Sequence, residues 1–294
     1  MLLSLLLTLQ PLQTGMEDPQ KPPPPWWGRA AHALLLDTVR RQNPRLAEQL
    51  HAADQAPRPF TVSTLIGPST RNGLQTGREY TLRLTSLHED LSRLLLHAAE
   101  AGPLAPGHTV ELDYLPFRVT RIQPAPSPDP QSPTENPDSQ TASPWAARTT
   151  YQELSAPWLL AKETPRRHIS LQLTSPASFK TRGRTMPIPL PDLVFGSLLQ
   201  RWNAFAPVVF PDELKRYAAE CLAISRFDLS SRSVQTKSRG RRVGAIGRIT
   251  FVSLNYDRYW MSLTHTLAAF ALFSGIGAGT TMGLGQARKI DKPR

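Results

Sequence analysis

What most constrains the fold of this chain is an order of hydrophobic patterns that runs through it twice. Residues 2–10 form an apolar run. Residues 29–42 place Leu35 and Val39 one helical turn apart. Asn43-Pro44 then starts a short second helix, with Asn as N-cap and Pro at the first helical position, ending near His51. Residues 59–66 and 79–86 alternate as strands, and in the latter Tyr80, Leu82 and Leu84 share one face. Residues 89–101 predict a helix stopped by Gly102, and residues 108–122 predict a closing strand.

The second round begins at residues 168–173, where Ile169, Leu171 and Leu173 alternate. A helix over 193–205 carries Leu198, Leu199 and Trp202, and 211–222 adds a short one. Strands over 224–234 and 243–254 flank a basic tip. A helix over 258–273, a glycine-rich loop and a last strand over 284–290 follow. Two rounds of βαββαβ predict an α+β protein of two tandem ferredoxin-like (RRM-like) domains, the fold that RNA-recognition modules use. Between them, residues 123–147 are dense in Pro, Ser and acidic residues and offer little to a core. They predict a Pro-rich linker or insertion. The expected domains are 1–122 and 148–294.

Charge separates the halves. From Arg166 to Arg294 there are 20 Lys+Arg against 7 Asp+Glu, a net +13, whereas the first 165 residues carry 14 against 16, a net −2. Such asymmetry suits a polyanion-binding surface on the second half. One cysteine, Cys221, excludes a disulfide framework and a cysteine-based zinc site, and suits a reducing compartment. No Lys or Arg precedes the apolar N-terminal run and no small-residue cleavage site follows it. The run is also far short of the ~20 residues that span a bilayer. It is expected to be a buried strand, in a cytoplasmic protein without membrane contact.

The segment 274–288, SGIGAGTTMGLGQAR, holds Gly275, Gly277, Gly279, Gly283 and Gly285. A P-loop needs a strand before it, a helix after it and a Gly-Lys-Ser/Thr ending; here the order is reversed and the loop has no lysine. The dinucleotide fingerprint fails because Thr280 stands where its third glycine belongs. No cofactor is therefore expected. No HxH, HExxH or paired-carboxylate pattern suggests a metal.

The helix-loop-strand FALFSGIGAGTTMGLGQAR resembles the C-terminal glycine-rich motif of the RAMP superfamily. Three further stretches agree in order: NPRLAEQLHAADQAPRPFTVSTL at 43–65, LPDLVFGSLLQRWNAFAP at 190–207 and VGAIGRITFVSL at 243–254. Together they resemble the CRISPR pre-crRNA-processing endoribonucleases, the sixth Cas family. The resemblance implies tandem ferredoxin-like domains and metal-independent cleavage of CRISPR repeat RNA. In that reaction the ribose 2′-OH attacks the adjacent phosphate, leaving a 2′,3′-cyclic phosphate and a 5′-OH. The implied partners are a repeat RNA stem-loop, a CRISPR effector complex and a second copy of the chain in a homodimer.

Such a reaction asks for a base, an acid and positive charge on the phosphorane, and imidazole suits the first two tasks. His32 and His51 lie in the segment that matches the family. In similar sequences the histidine after the Leu of the NPxLA–LH pattern is catalytic, and here that is His51. A helix pair turning back at Asn43-Pro44 would bring His32 and His51 toward each other. His32 would sit near a helix N-terminus, which disfavours imidazolium, and His51 near a C-terminus, which favours it. Where those relatives carry a tyrosine on the first helix and a lysine after the histidine, this chain has Leu36 and Arg58. Arg58 and Arg29 are the candidates to stabilise phosphorane charge.

For holding RNA the candidates are Lys180, Arg182 and Arg184, then Lys237, Arg239, Arg241 and Arg242 on the hairpin, and Arg288 beyond the loop. Backbone N–H groups of the loop, at Gly275, Gly277, Gly279, Thr280, Thr281, Gly283 and Gly285, are expected to meet RNA phosphates. A non-catalytic RAMP-type RNA-binding subunit of a CRISPR effector complex would share the fold and the loop without needing His51. A general RNA-recognition module is disfavoured, because no aromatic RNP-type strand is present.

Overall fold

The computed structural model describes residues 1–13, 24, 26–52, 57–68, 74–123, 143–235 and 240–290, and at 51 and 52 the backbone alone. In the first unit, β1 (Leu2–Pro11) is followed by α1 (Gly28–Gln42) and α2 (Pro44–Ala52). Then come β2 (Phe60–Val62), β3 (Tyr80–Ser86), α3 (Glu89–Ala101), β4 (Thr109–Leu112) and β5 (Leu115–Gln123). The strands lie in the order β2-β3-β1-β5-β4. Asn43 caps α2 as its sequence predicts, its Oδ1 accepting from the Leu46 amide at 3.0 Å. Leu3, Leu5, Leu7 and Leu9 of β1 face the helices and form one core with Leu35, Val39, Leu82, Leu84 and Leu95.

Three local departures have plain causes. The expected closing strand is a hairpin, because Asp113 and Tyr114 turn the chain in left-handed conformations (φ 49° and 68°). Gly102 ends α3 with φ −120°, so it is not a left-handed cap. Glycine is needed there for space, since a Cβ would stand 2.9 Å from the Ala98 Cα. Beyond the linker, β6 (Ala147–Thr149) pairs with Leu2–Ser4 of β1 and so extends the first sheet; the expected boundary at 148 falls inside it. α4 (Tyr151–Leu159) follows, opened by a reciprocal Thr150–Glu153 capping box.

The second unit holds β7 (His168–Ala177), a small hairpin of β8 (Phe179–Thr181) and β9 (Arg184–Met186), α5 (Pro191–Phe205) and α6 (Glu213–Cys221). These are followed by β10 (Leu222–Gln235), β11 (Arg241–Ser253), α7 (Arg258–Ser274), a 3-10 turn at Thr280–Met282, and β12 (Ala287–Ile290). Its sheet order, β10-β11-β7-β12, repeats the order β2-β3-β1-β5 of the first unit. The fold is thus two ferredoxin-like units in tandem. Most of the expected linker, and the hairpin-tip residues Lys237 and Arg239, lie outside the described residues.

The units are joined through a polar sheet face that the sequence alternation assigns to neither core. Thr81, Arg83 and Thr85 oppose the apolar face of β3, yet Arg83 and Thr85 are buried. Thr85 Oγ1 donates to the Phe273 carbonyl at 2.7 Å and Arg83 to the Leu272 carbonyl at 2.8 Å, both near the end of α7. Arg83 also donates to the Gln286 side chain, whose Nε2 donates in turn to the Val62 carbonyl at 2.8 Å. These seam groups therefore exchange water for protein partners. Among the described residues, no helix is long and apolar enough to cross a membrane.

Candidate nucleic-acid interface

The glycine loop lies on the seam, and its glycines answer to its own chain. All five have positive φ, between 60° and 84°. At Gly283, which pairs with Ser63 of the first unit in a bridge, a Cβ would stand 2.8 Å from the Thr64 amide nitrogen. At Gly285 it would stand 2.0 Å from the Ile276 carbonyl oxygen. No larger residue satisfies both the dihedral and the space.

This packing corrects part of the expectation for the loop. Gly275 N–H donates to the Ala271 carbonyl, Gly277 N–H to Ser197 Oγ and Gly285 N–H to the Pro176 carbonyl. These three amides are engaged inside the protein and do not face a phosphate. Thr280 is also interior, 4% exposed, with its hydroxyl near Arg201 Nη2 at 3.4 Å. Arg201 supports the loop from α5: it donates to the Gly277 carbonyl at 2.5 Å, and burial lowers its pKa to about 10.

The other side of the loop meets α1. The Trp27 amide, at the start of that helix, donates to Thr64 Oγ1 at 3.0 Å. One turn later the half-buried His32 ring rests against Phe60, centroids 5.3 Å apart, and its Nδ1 lies 2.9 Å from the Thr281 carbonyl oxygen. A carbonyl only accepts, so Nδ1 carries the proton in this contact, and Nε2 is the basic nitrogen of the ring's neutral form. The second unit thus sets the tautomer of a histidine in the first.

His32 lines a cleft of about 680 Å³ formed by both units. Arg29 on α1 and Arg242 on β11 share it, together with Trp26, Met282 and Asp113. Of the sequence candidates, His32, Arg29 and Arg242 therefore come together. Arg58 donates to the Leu50 carbonyl near the end of α2, one residue before His51. His51 lies in the last turn of that helix, and α2 packs on α1. Lys180, Arg182 and Arg184 project from the β8–β9 hairpin, and Lys180 lines a second cleft with Arg201, Lys215 and Gly277. Arg288 is half-buried on β12, bonded to Gln172 at 2.9 Å and over the Trp145 ring at 5.4 Å. Lys215, Arg201 and Trp26 were not singled out from the sequence. Basic residues inside amphipathic helices carry no motif that would find them, whereas the Trp-Trp-Gly step did carry a signal.

Two ferredoxin-like units thus meet at the glycine loop. Residues 171–287 match the family model for CRISPR-associated endoribonuclease Cas6. A Thermus thermophilus Cas6 product complex is similar over 99% of this chain and 100% of its own, with 26% identity and a TM-score of 0.75. Another Cas6 product complex shares 24% identity over 99% of both chains, with a TM-score of 0.72. A Cas6-related protein from Pyrococcus furiosus shares the fold at 12% identity and a TM-score of 0.59, with 100% of each chain covered. No curated protein sequence gives a significant match. The family match thus lies within the second unit, and the structural likeness to the Cas6 structures runs over both units.

Proposed function

We propose that this protein is a metal-independent endoribonuclease that cuts CRISPR repeat RNA in a precursor transcript and so releases mature crRNA. The bond from the 2′-oxygen to phosphorus forms as the bond from phosphorus to the 5′-oxygen breaks. The 2′-hydroxyl proton passes to a base, and an acid returns one to the leaving oxygen. The products carry a 2′,3′-cyclic phosphate and a 5′-OH.

The observation that carries this reading is the His32–Thr281 contact within a cleft flanked by Arg29 and Arg242. With Nδ1 held as a donor, Nε2 of His32 is the nitrogen suited to take the 2′-hydroxyl proton. His51, at the end of α2, is the acid, since a helix C-terminus favours imidazolium. Arg29 and Arg58 stabilise the phosphorane. The RNA backbone runs along Lys180, Arg182, Arg184, Lys237, Arg239, Arg241, Arg242 and Arg288, with Gly279 and Thr281 at the joint. A stem-loop suits this surface because an A-form helix is held through its backbone. The Cas6 structures that share the fold include product and substrate-mimic complexes.

The test is incubation of the purified protein with repeat RNA in EDTA, beside the same RNA carrying one 2′-deoxy residue at the scissile position. Cleavage of the first with a cyclic phosphate end, and not of the second, is expected. Binding without cleavage of either RNA overturns the nuclease reading in favour of a binding subunit.

A further inference from the structure

The cleft that holds His32 has a floor that phosphate binding does not require. Beside its two arginines it is lined by Trp26, Met282, Leu284 and Val234. Trp27, the neighbour of Trp26, behaves as a core residue, 8% exposed and edge-on to Phe117 at 5.9 Å. Trp26 instead stays half-exposed in the cleft, and it is held there. Its Nε1–H donates to the Met282 carbonyl at 2.7 Å. Gly28 leaves the room for this: a Cβ there would stand 1.9 Å from that carbonyl oxygen and 2.8 Å from Nε1. The result is an indole pinned by its nitrogen on the wall of a wet, basic cleft.

The lining also holds a carboxylate, Asp113, at the β4–β5 turn. Asp113 and Tyr114 both have left-handed φ. Glycine is the usual second residue of such a turn, and a bulky side chain there is strained. Tyr114 is 81% exposed, so packing does not offset that strain. Strain kept beside a cleft points to use.

We propose that the cleft receives one unpaired nucleobase next to the scissile phosphate, stacked on the Trp26 indole and read along its edge by Asp113. The location beside the cut rests on the endoribonuclease reading; the base recognition is a separate property. An indole and two arginines lining one cleft suit a splayed-out nucleotide, with its base on the ring and its phosphates on the cations. A carboxylate only accepts hydrogen bonds, so the base presents donors to it. Guanine, with N1–H and the N2 amino group side by side, offers two donors to one carboxylate and is the expected base.

The experiment measures equilibrium binding of the full chain to repeat RNA made uncleavable by a 2′-deoxy residue at the cut. Each flanking nucleotide is made abasic in turn. One abasic position is expected to weaken binding on the order of ten-fold. Trp26→Ala is expected to weaken the intact RNA by a similar factor and to add nothing on that abasic RNA. Asp113→Asn, in an exposed turn where Asn tolerates the same φ, is expected to erase the preference for guanine at that position and keep the fold. Binding that is indifferent to every abasic position, or a Trp26→Ala loss equal on all RNAs, overturns this proposal alone. Absence of RNA binding altogether overturns it together with the functional reading.

Discussion

Arg83 and Gln286 meet side chain to side chain in the interior, 203 residues apart in sequence. The other hydrogen-bond partners of the Arg83 guanidinium are Ser4 and the Leu272 carbonyl, so a buried cation is held by neutral dipoles. Burial lowers its pKa to about 9, which leaves it charged at neutral pH. Removing it strands the acceptors it serves and opens a cavity. Arg83→Ala is expected to lower the unfolding free energy by about 3 kcal/mol, read from urea denaturation. An unchanged midpoint would show that the seam is held elsewhere.

Replacing His32 by alanine removes the proposed base but not the arginines around it. Single-turnover cleavage of repeat RNA is expected to fall by about 10²–10⁴-fold, with affinity for the uncleavable RNA retained. A parallel loss of affinity would assign His32 to binding.

Gly283→Ala tests whether the loop seats that ring. The residue has φ 84°, and a Cβ would meet the Thr64 nitrogen at 2.8 Å and Gly28 Cα at 3.2 Å. A cost of about 2 kcal/mol or more is expected, with cleavage reduced as the Thr281 carbonyl shifts. Gly107→Ala is the control: φ is 90°, but nothing lies within 4 Å. It should cost about 1 kcal/mol and leave cleavage intact.

Arg241 and Arg242, which open β11 opposite Gln235 and Val234 of β10, are expected to contact phosphates. Alanine at either should weaken binding to repeats of different sequence alike. It should also lower the slope of log affinity against log salt by about one. A loss confined to one sequence would mean base recognition instead.

The fold was largely legible because strand and helix periods survive in the sequence. Tyr80, Leu82 and Leu84 mark one face of β3, and the structure buries that face in the first core. The opposite face was not legible. Thr81, Arg83 and Thr85 alternate as a solvated strand would, and only the second unit packing over them makes them interior. β6 has three residues and α4 contains Pro157, so neither carries a strong pattern. The β4–β5 turn was missed for want of the Asn-Gly or Asp-Gly signal.

In the site, residue type pointed to His32, Arg29 and Arg242, and the structure gathers them in one cleft. The glycines misled in part. Glycine density says that a backbone approaches something closely, and at Gly283 and Gly285 that something is this chain's own backbone. A count of glycines cannot tell an internal joint from a ligand cradle. Dihedrals and occupied amides can.

The hold on the His32 ring has a bearing on synthesis at the ribosome. The carbonyl that orients it belongs to residue 281, so the imidazole is made early and its support emerges roughly 250 residues later. A nascent first unit, however well folded, lacks the part that fixes its proton. If His32 is the base, a chain still being translated carries no competent centre with which to cut transcripts nearby.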